Sequence, residues 1–330
     1  MLLSHDAYSY VDYARLGVRH GLDPYVQPPL AAAGDPAYAQ VTWTEATSAY
    51  GPLFTLLTYP LAWLPVGVAV GVLKAVAALS VLGIAWLTGR IAAWRGADPL
   101  RAAAFVALNP LVLVHVVGGA HNDGLTMLLA MAGVGALLGG RELGAGAALA
   151  AAVATKLSAA LLAPFALLGA HQPQPTGRKY PYMEGNRPVA GLLLGAGGTA
   201  MAIGVAAWLA FGWDWLHGFG LAGENQSRTS HMSIPITTAR LAGLPSDPVR
   251  LGAALLFAAA LAYLLAWTYR GGDWLRAAAW ATLALLLATS WLLPWYLLWL
   301  LPLSAISRDR PLQLLTLVLT AYQLGARIPL

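Results

Sequence analysis

The feature that most constrains this chain is the recurrence of long apolar runs. Stretches of roughly 18 to 25 residues, long enough to cross a bilayer core of about 30 Å, recur along it among shorter ones. Candidate spans fall at Val66–Leu87, Ala102–Val117, Leu125–Leu138, Leu143–Ala154, Leu157–Leu168, Val189–Ala210, Leu251–Trp267, Ala277–Trp291, Trp295–Ile306 and Leu312–Leu324. Composition agrees. The chain is 58% hydrophobic and 10% charged, against about a quarter charged in soluble domains. The expected fold is therefore an all-α polytopic membrane bundle of about ten transmembrane or half-depth helices. Leu143–Ala154 and Leu157–Leu168 read either as two half-depth helices or as one helix. The net charge of +5 is a matter of loop placement in such a chain and gives no support to a nucleic-acid partner. Without cysteine, disulfides and thiolate sites are excluded.

Basic residues orient the bundle. If the opening segment lies outside the cytoplasm, Arg90, Arg95, Arg101, Arg141, Arg178, Lys179, Arg187, Arg270, Arg276, Arg308 and Arg310 fall in cytoplasmic loops, against Arg15, Arg19, Arg228, Arg240, Arg250 and Arg327 outside, which fits the positive-inside bias. Asp6, Asp12, Asp35, Glu45, Asp123 and Asp214 then fall outside. The whole chain, 1–330, reads as one transmembrane domain. It has a first outer loop (1–65), a cytoplasmic loop (170–188) and a second outer loop (211–248).

The polar chemistry sits in five places. "SHDAYSYVDYARLGVRHG" predicts a short helix opened by Ser4 or Asp6 and closed by Gly21. Asp6, Tyr10 and Tyr13 share one face of it by the three-to-four spacing. Asp6 reads as an N-cap or as a base for a sugar hydroxyl. "NPLVLVHVVGGAHNDGL" ends a span in two glycines and turns through His121, Asn122 and Asp123. These three can bind an anion or a sugar, or cap the next helix. Lys156 is flanked on both sides by apolar residues. It is a functional candidate by its cost, with a phosphate or one of the outer carboxylates as its partner, and snorkelling is the alternative. Arg228 and His231, three apart in "GENQSRTSHMSIP", suit a phosphate clamp or a solvated loop. The same loop holds a glycosylation sequon at Asn225. Trp295 and Tyr296 in "PWYLLW" read as an interfacial belt or as a sugar-stacking surface. "YGPLFTLLTYPLAWLP", which begins at Tyr50, reads as an interfacial helix. Gly67/Gly71 and Gly191/Gly195 read as helix-packing faces. Walker A, HExxH and GxSxG motifs are absent from the sequence, and no metal-ligand spacing calls for a metal or cofactor.

Taken in order, "SHDAYSYVDYARLGVRHGLDPY", "YGPL", "NPLVLVHVVGGAHNDGL", Lys156 and "PWYLLW" resemble the bacterial polyprenol-phosphomannose-dependent α-1,6-mannosyltransferases, integral-membrane enzymes of the GT-C superfamily. The resemblance runs from Ser4 to about Pro302. It implies a GT-C-like bundle, a polyprenyl-phosphate-linked sugar donor, most simply mannose, and a glycan or glycolipid acceptor. It also implies an aspartate base in the first outer loop, which maps to Asp6. Transfer would occur with inversion, on the extracytoplasmic side of a bacterial plasma membrane. Lys156, Arg228, His121 and His231 would face the donor phosphate. Asn122, Asp123, Tyr10, Tyr50, Trp295 and Tyr296 would face sugar or acceptor. The pattern expects a transmembrane helix ahead of the first outer loop, and here Ser4 follows Met1 by three residues. The rival expectations are a lipid-linked-sugar flippase and a truncated, non-catalytic member of the same family.

Overall fold

A computed structural model describes residues 4–172, 187–224 and 227–325. It is an all-α membrane protein, with no strand among the described residues. Most of the predicted 170–188 loop, with Arg178 and Lys179, lies outside the described residues. So do Asn225 and Gln226 of the sequon.

Helix α1 (Asp6–His20) begins where the Ser4 hydroxyl accepts the Asp6 N–H at 3.2 Å. It ends at Gly21, whose φ of 65° is the left-handed conformation that glycine adopts without strain. Asp6 is thus the first helical residue, and His5 holds the N-cap position with no side-chain cap. Acidic Asp6 at the start and Arg19 and His20 at the end complement the helix dipole. The helix buries Ala7, Tyr10, Val11 and Ala14, which seats it on the protein. Its basic side chains finish the docking. Arg15 donates to Asp35 at 2.6 Å and to the Ala62 carbonyl at 3.1 Å, while Arg19 reaches the same carbonyl at 2.7 Å.

The predicted interfacial helix forms as two pieces. Helix α2 (Pro52–Thr58) is followed by a 3-10 turn at Tyr59–Trp63, where Pro60 lacks the N–H that would continue α2. Gly51 starts α2 by approaching the bundle closely. Its N–H donates to the Thr155 carbonyl at 3.1 Å, and a Cβ there would lie 2.1 Å from the Ala154 oxygen.

The membrane bundle follows. Helix α3 (Val66–Trp94), at about 43 Å, is long enough to cross the membrane. The predicted span Ala102–Val117 is broken: α4 (Pro99–Ala107) stops at Asn109-Pro110, and a π-helical stretch, Val112–Val117, completes it. Asn109 mends the break by accepting the Leu111 N–H at 3.0 Å and donating to Thr320 at 3.2 Å. Helices α5 (Asp123–Leu138) and α6 (Glu142–Thr155) follow. At Lys156 the backbone becomes extended (φ −157°, ψ 127°), then returns through a 3-10 turn, Leu157–Leu161, into α7 (Leu162–Gly169). The two apolar runs on either side of Lys156 are therefore separate helices.

Helix α8 (Arg187–Phe211) packs on α6 through the predicted glycine face. A Cβ at Gly195 would lie 1.9 Å from the Leu143 oxygen, and one at Gly146 would lie 1.9 Å from the Leu192 oxygen. Gly67 and Gly71, by contrast, have open space where a side chain would go, so they make no close helix contact among the described residues. The short helices α9 (His217–Glu224) and α10 (Ile234–Ala242) form the second polar connection. Helix α11 (Ser246–Tyr269) leads to α12 (Trp274–Ala288), which ends three residues before the predicted Trp291. A 3-10 turn, Pro294–Trp299, then α13 (Leu301–Ile306) and α14 (Arg310–Gly325), complete the bundle. Helices α8 and α11 are long apolar helices, with 11% and none of their most apolar window buried. They are the helices most open to lipid.

One end of the bundle is tied by ion pairs, Arg95 with Asp273 and Arg276 with Asp309. At the other end lie α1 and the turns at His121–Asp123, Lys156 and Thr289–Leu293. Changing Gly51 to Ala drives a methyl group into the α6 carbonyls. It should lower thermal stability in detergent by roughly 1–3 kcal/mol, whereas Gly67→Ala should leave the melting curve in place. Equal behaviour of the two variants would show that Gly51 does not seat the first loop.

Candidate active site

The turns at this end enclose a cavity of about 620 Å³ beneath the N-terminal half of α1. Asp6, Ser9, Tyr10 and Tyr13 supply one wall, on the face that the helical spacing predicts. Tyr50 sits beside Gly51 and fits edge-to-face on Tyr10 at 4.8 Å. Opposite them the cavity is lined by Lys156, Trp295, Tyr296 and Trp299.

The base of the site is a buried ion pair. Lys156 Nζ donates to both Asp123 carboxylate oxygens at 2.8 Å, and the Trp299 indole N–H donates to Asp123 Oδ1 at 2.6 Å. Asp123 is fully buried, whereas the Lys156 side chain keeps 19% of its surface. Removing these charges from water is costly, and the shared carboxylate and the indole donor offset that cost. The ammonium also lies 5.1 Å from the Tyr296 ring and 5.5 Å from Trp299, and both rings favour a cation. An ammonium has three donors. The carboxylate engages two, and Lys156 is also among the residues that line the cavity.

The glycine pair before His121 has a steric cause. A Cβ at Gly119 would lie 2.7 Å from the His121 ring, and one at Gly118 would lie 2.2 Å from the Val114 oxygen. Ala120 then takes a left-handed φ of 54°, a strained conformation for a non-glycine residue. The turn stacks His121 on Trp295 at 3.7 Å and brings its Nδ1 to 3.5 Å from Asp6 Oδ2. Asp6 keeps 20% of its side chain exposed. Burial raises its carboxyl above the ordinary range, and the Asp123 charge adds to that. Lys156 and the Ser4 and Trp43 side chains pull the other way. The phenols of Tyr10, Tyr13 and Tyr50 are pushed up by burial and stay neutral donors. Tyr13 spends its proton on the Ala46 carbonyl at 2.7 Å.

The predicted residues divide clearly. Asp6, Tyr10, Tyr50, Lys156, Arg228, Trp295 and Tyr296 line the one cavity. His121 and Asp123 stand directly behind it, held against Trp295, Asp6 and Lys156. Asn122 is buried, and its side-chain amide has no hydrogen-bond partner among the described residues. His231 is exposed and not among the lining residues, so the two residues of the i,i+3 pair point to different surroundings. Arg228 lies instead over Trp43, 4.6 Å from the ring centre. Trp291, expected beside Trp295 and Tyr296, also lines the cavity, whereas sequence reasoning missed Trp43 and Trp299. Trp299 was detectable, because it follows Tyr296 by three residues and stacks on it at 4.3 Å. Trp43 lies in an irregular loop with no period to reveal it.

With this geometry in hand, comparison with known proteins is informative. Residues 2–172, just over half of the chain, match the family described as alpha-(1->6)-mannopyranosyltransferase, N-terminal domain. The chain belongs to this family. It is similar to alpha-(1->6)-mannopyranosyltransferase A of Mycobacterium tuberculosis, 34% identical over 172 residues, covering 50% of this chain and 32% of that protein. The protein of the same name from Corynebacterium glutamicum is 34% identical over 178 residues, 52% of this chain and 36% of its own length. The chain thus matches about a third of the length of these relatives. No solved structure matches it. The family region runs from α1 to α7 and includes Asp6, Trp43, Tyr50, His121, Asp123 and Lys156. Arg228 and the Trp291–Trp299 turn lie beyond it.

A second titrating group on α1 gives a stability test. Asp12 is buried with its Oδ2 unpartnered among the described residues. Burial and then the Asp35 charge push its carboxyl up to about 7, against the opposing pull of His20 and Arg15. A carboxyl that binds its proton more tightly when folded destabilises the fold as pH rises from about 4, the unfolded value, to about 7. Asp12→Asn removes that penalty. It should raise the melting temperature at pH 8 and change it little at pH 4.5; the same shift at both pH values would contradict the assignment.

Proposed function

We propose that the chain transfers a mannosyl group from a polyprenyl phosphate to the hydroxyl of a glycan or glycolipid acceptor, on the extracytoplasmic face of the membrane. The observation that carries this is a carboxylate, Asp6, facing the same cavity as a fixed cation, Lys156. The names of the relatives support mannose as the sugar.

Asp6 accepts the proton of the acceptor hydroxyl. The acceptor oxygen then bonds to the anomeric carbon as the bond from that carbon to the phosphate oxygen breaks on the opposite face, which inverts the configuration. The electron pair leaves with the polyprenyl phosphate, whose growing charge Lys156 offsets. Arg228, on the same cavity, assists. Such a leaving group needs no second carboxylate acid, unlike glycoside hydrolysis. A carboxyl raised by burial is a better proton acceptor than a free aspartate. Tyr10 and Tyr50 orient hydroxyls, and Trp295 and Tyr296 offer ring faces to the sugar. Asp123 acts through Lys156, because its oxygens are already engaged by Lys156 and Trp299.

The test is mannosyl transfer from polyprenyl phosphate mannose to a short synthetic α-mannoside. Asp6→Asn should lower the rate by about 10²–10⁴-fold, and retention of most activity would remove Asp6 as the base. The acid limb of the pH–rate profile should lie above the ordinary carboxylate range. Lys156→Met should move it to still higher pH, since Lys156 is the cation that lowers the Asp6 carboxyl. Movement of intact donor across a vesicle membrane, with no new glycosidic bond, would support a transporter instead.

A further inference from the structure

A second cavity of about 450 Å³ adjoins the first, lined by Thr42, Thr44, Glu45, Thr47, Leu221 and Arg228, with Trp43 and Ala46. The two share Thr42, Trp43, Ala46, Thr47 and Arg228, so Trp43 forms part of the wall between them. Their chemistry differs. The first has Leu157, Leu285, Leu286 and Leu293 and a bank of aromatic rings. In the second, threonine hydroxyls, a carboxylate and a guanidinium surround a single leucine.

We propose that the second cavity is the acceptor-saccharide subsite, with Trp43 as its stacking platform. The proposal rests on the transferase function set out above and goes beyond it by naming where the acceptor binds. A pyranose offers hydroxyls to short polar side chains and an apolar C–H face to an aromatic ring. Trp43 keeps 38% of its surface exposed. Its ring is fixed edge-to-face on Trp291 at 6.4 Å, with Arg228 on it at 4.6 Å. The loop that carries it is held in shape. Tyr13 donates to the Ala46 carbonyl at 2.7 Å, the Leu30 N–H to the Thr44 carbonyl at 2.9 Å, and the Ser48 N–H to the Pro24 carbonyl at 2.7 Å. Such preorganisation lowers the cost of binding. A prenyl-linked donor requires an apolar wall, which the first cavity has and the second lacks. Asp6 lines the first cavity beside Trp43. An acceptor stacked on Trp43 therefore presents a hydroxyl towards the base, while the donor occupies the first cavity.

The purified chain in lipid nanodiscs, without donor, is titrated with a short α-1,6-linked mannoside, and binding is read by saturation-transfer NMR. Saturable binding is expected. Trp43→Ala should weaken it about tenfold, as truncating an aromatic anchor does, and Trp43→Phe should recover most of it. Glu45→Ala, on the exposed rim, should weaken it several-fold without unfolding the chain. In transfer assays Trp43→Ala should raise the acceptor KM and leave the donor KM unchanged. Unaltered mannoside binding by both Trp43→Ala and Glu45→Ala would overturn the subsite. So would equal rises in the two KM values. Trp43-dependent binding without any transfer would uphold the subsite and sink the transferase function; transfer with an acceptor KM indifferent to Trp43 would do the reverse.

Discussion

The arrangement of this end of the bundle depends on the ion pair between Lys156 and Asp123. Neither residue belongs at such a depth alone. Asp123 is fully buried at the head of α5, and Lys156 interrupts two apolar helices. Each is tolerated because the other is there, with Trp299 supplying a further donor. The pair joins one turn to the next, and Trp299 joins both to the Pro294–Trp299 turn. Three separate parts of the chain are thereby brought to one point.

Helix length explains why there is a recess to fill. Helices of 14 to 16 residues, such as α5, α6 and α12, span only about 21–24 Å. That is less than the apolar thickness of a bilayer of about 30 Å. Their turns stop short, and the first loop fills the space above them. Gly51 fixes that loop on the end of α6, while Arg15, Arg19 and Asp35 fasten α1 over it. Arg15, the Ala37 N–H and His20 outweigh burial and hold the Asp35 carboxyl down at about 2, so the fastening persists across the physiological pH range. Polar groups that would be prohibitively costly against lipid are enclosed by protein instead.

Much of this could be read in the sequence, for identifiable reasons. The spans were legible because apolar runs have to match the membrane. The α1 face was legible because Asp6, Tyr10 and Tyr13 follow helical spacing, and Lys156 stood out against its surroundings. The break at Asn109-Pro110 was obscured by the apolar residues on both sides, since hydropathy does not register a missing N–H. Lys156 was expected to meet a phosphate or one of the outer carboxylates, but Asp123 was read as a sugar ligand, because its partner lies 33 positions away and no local pattern encodes which carboxylate pairs. Trp43 was hidden for a similar reason. Its place beside Arg228 and Trp291 comes from the tertiary folding of an irregular loop.

The central claim is that Asp123 serves to hold Lys156, and that Lys156 serves the reaction. A double-mutant cycle in detergent, with stability and mannosyl transfer measured on the same preparations, tests it most directly. Asp123→Leu alone should cost about 3–5 kcal/mol by stranding the ammonium, and Lys156→Met alone a similar amount by stranding the carboxylate. The double variant should regain most of that stability while transfer stays far below that of the parent chain. A double variant that transfers mannose normally, or single variants as stable as the parent chain, would contradict the account.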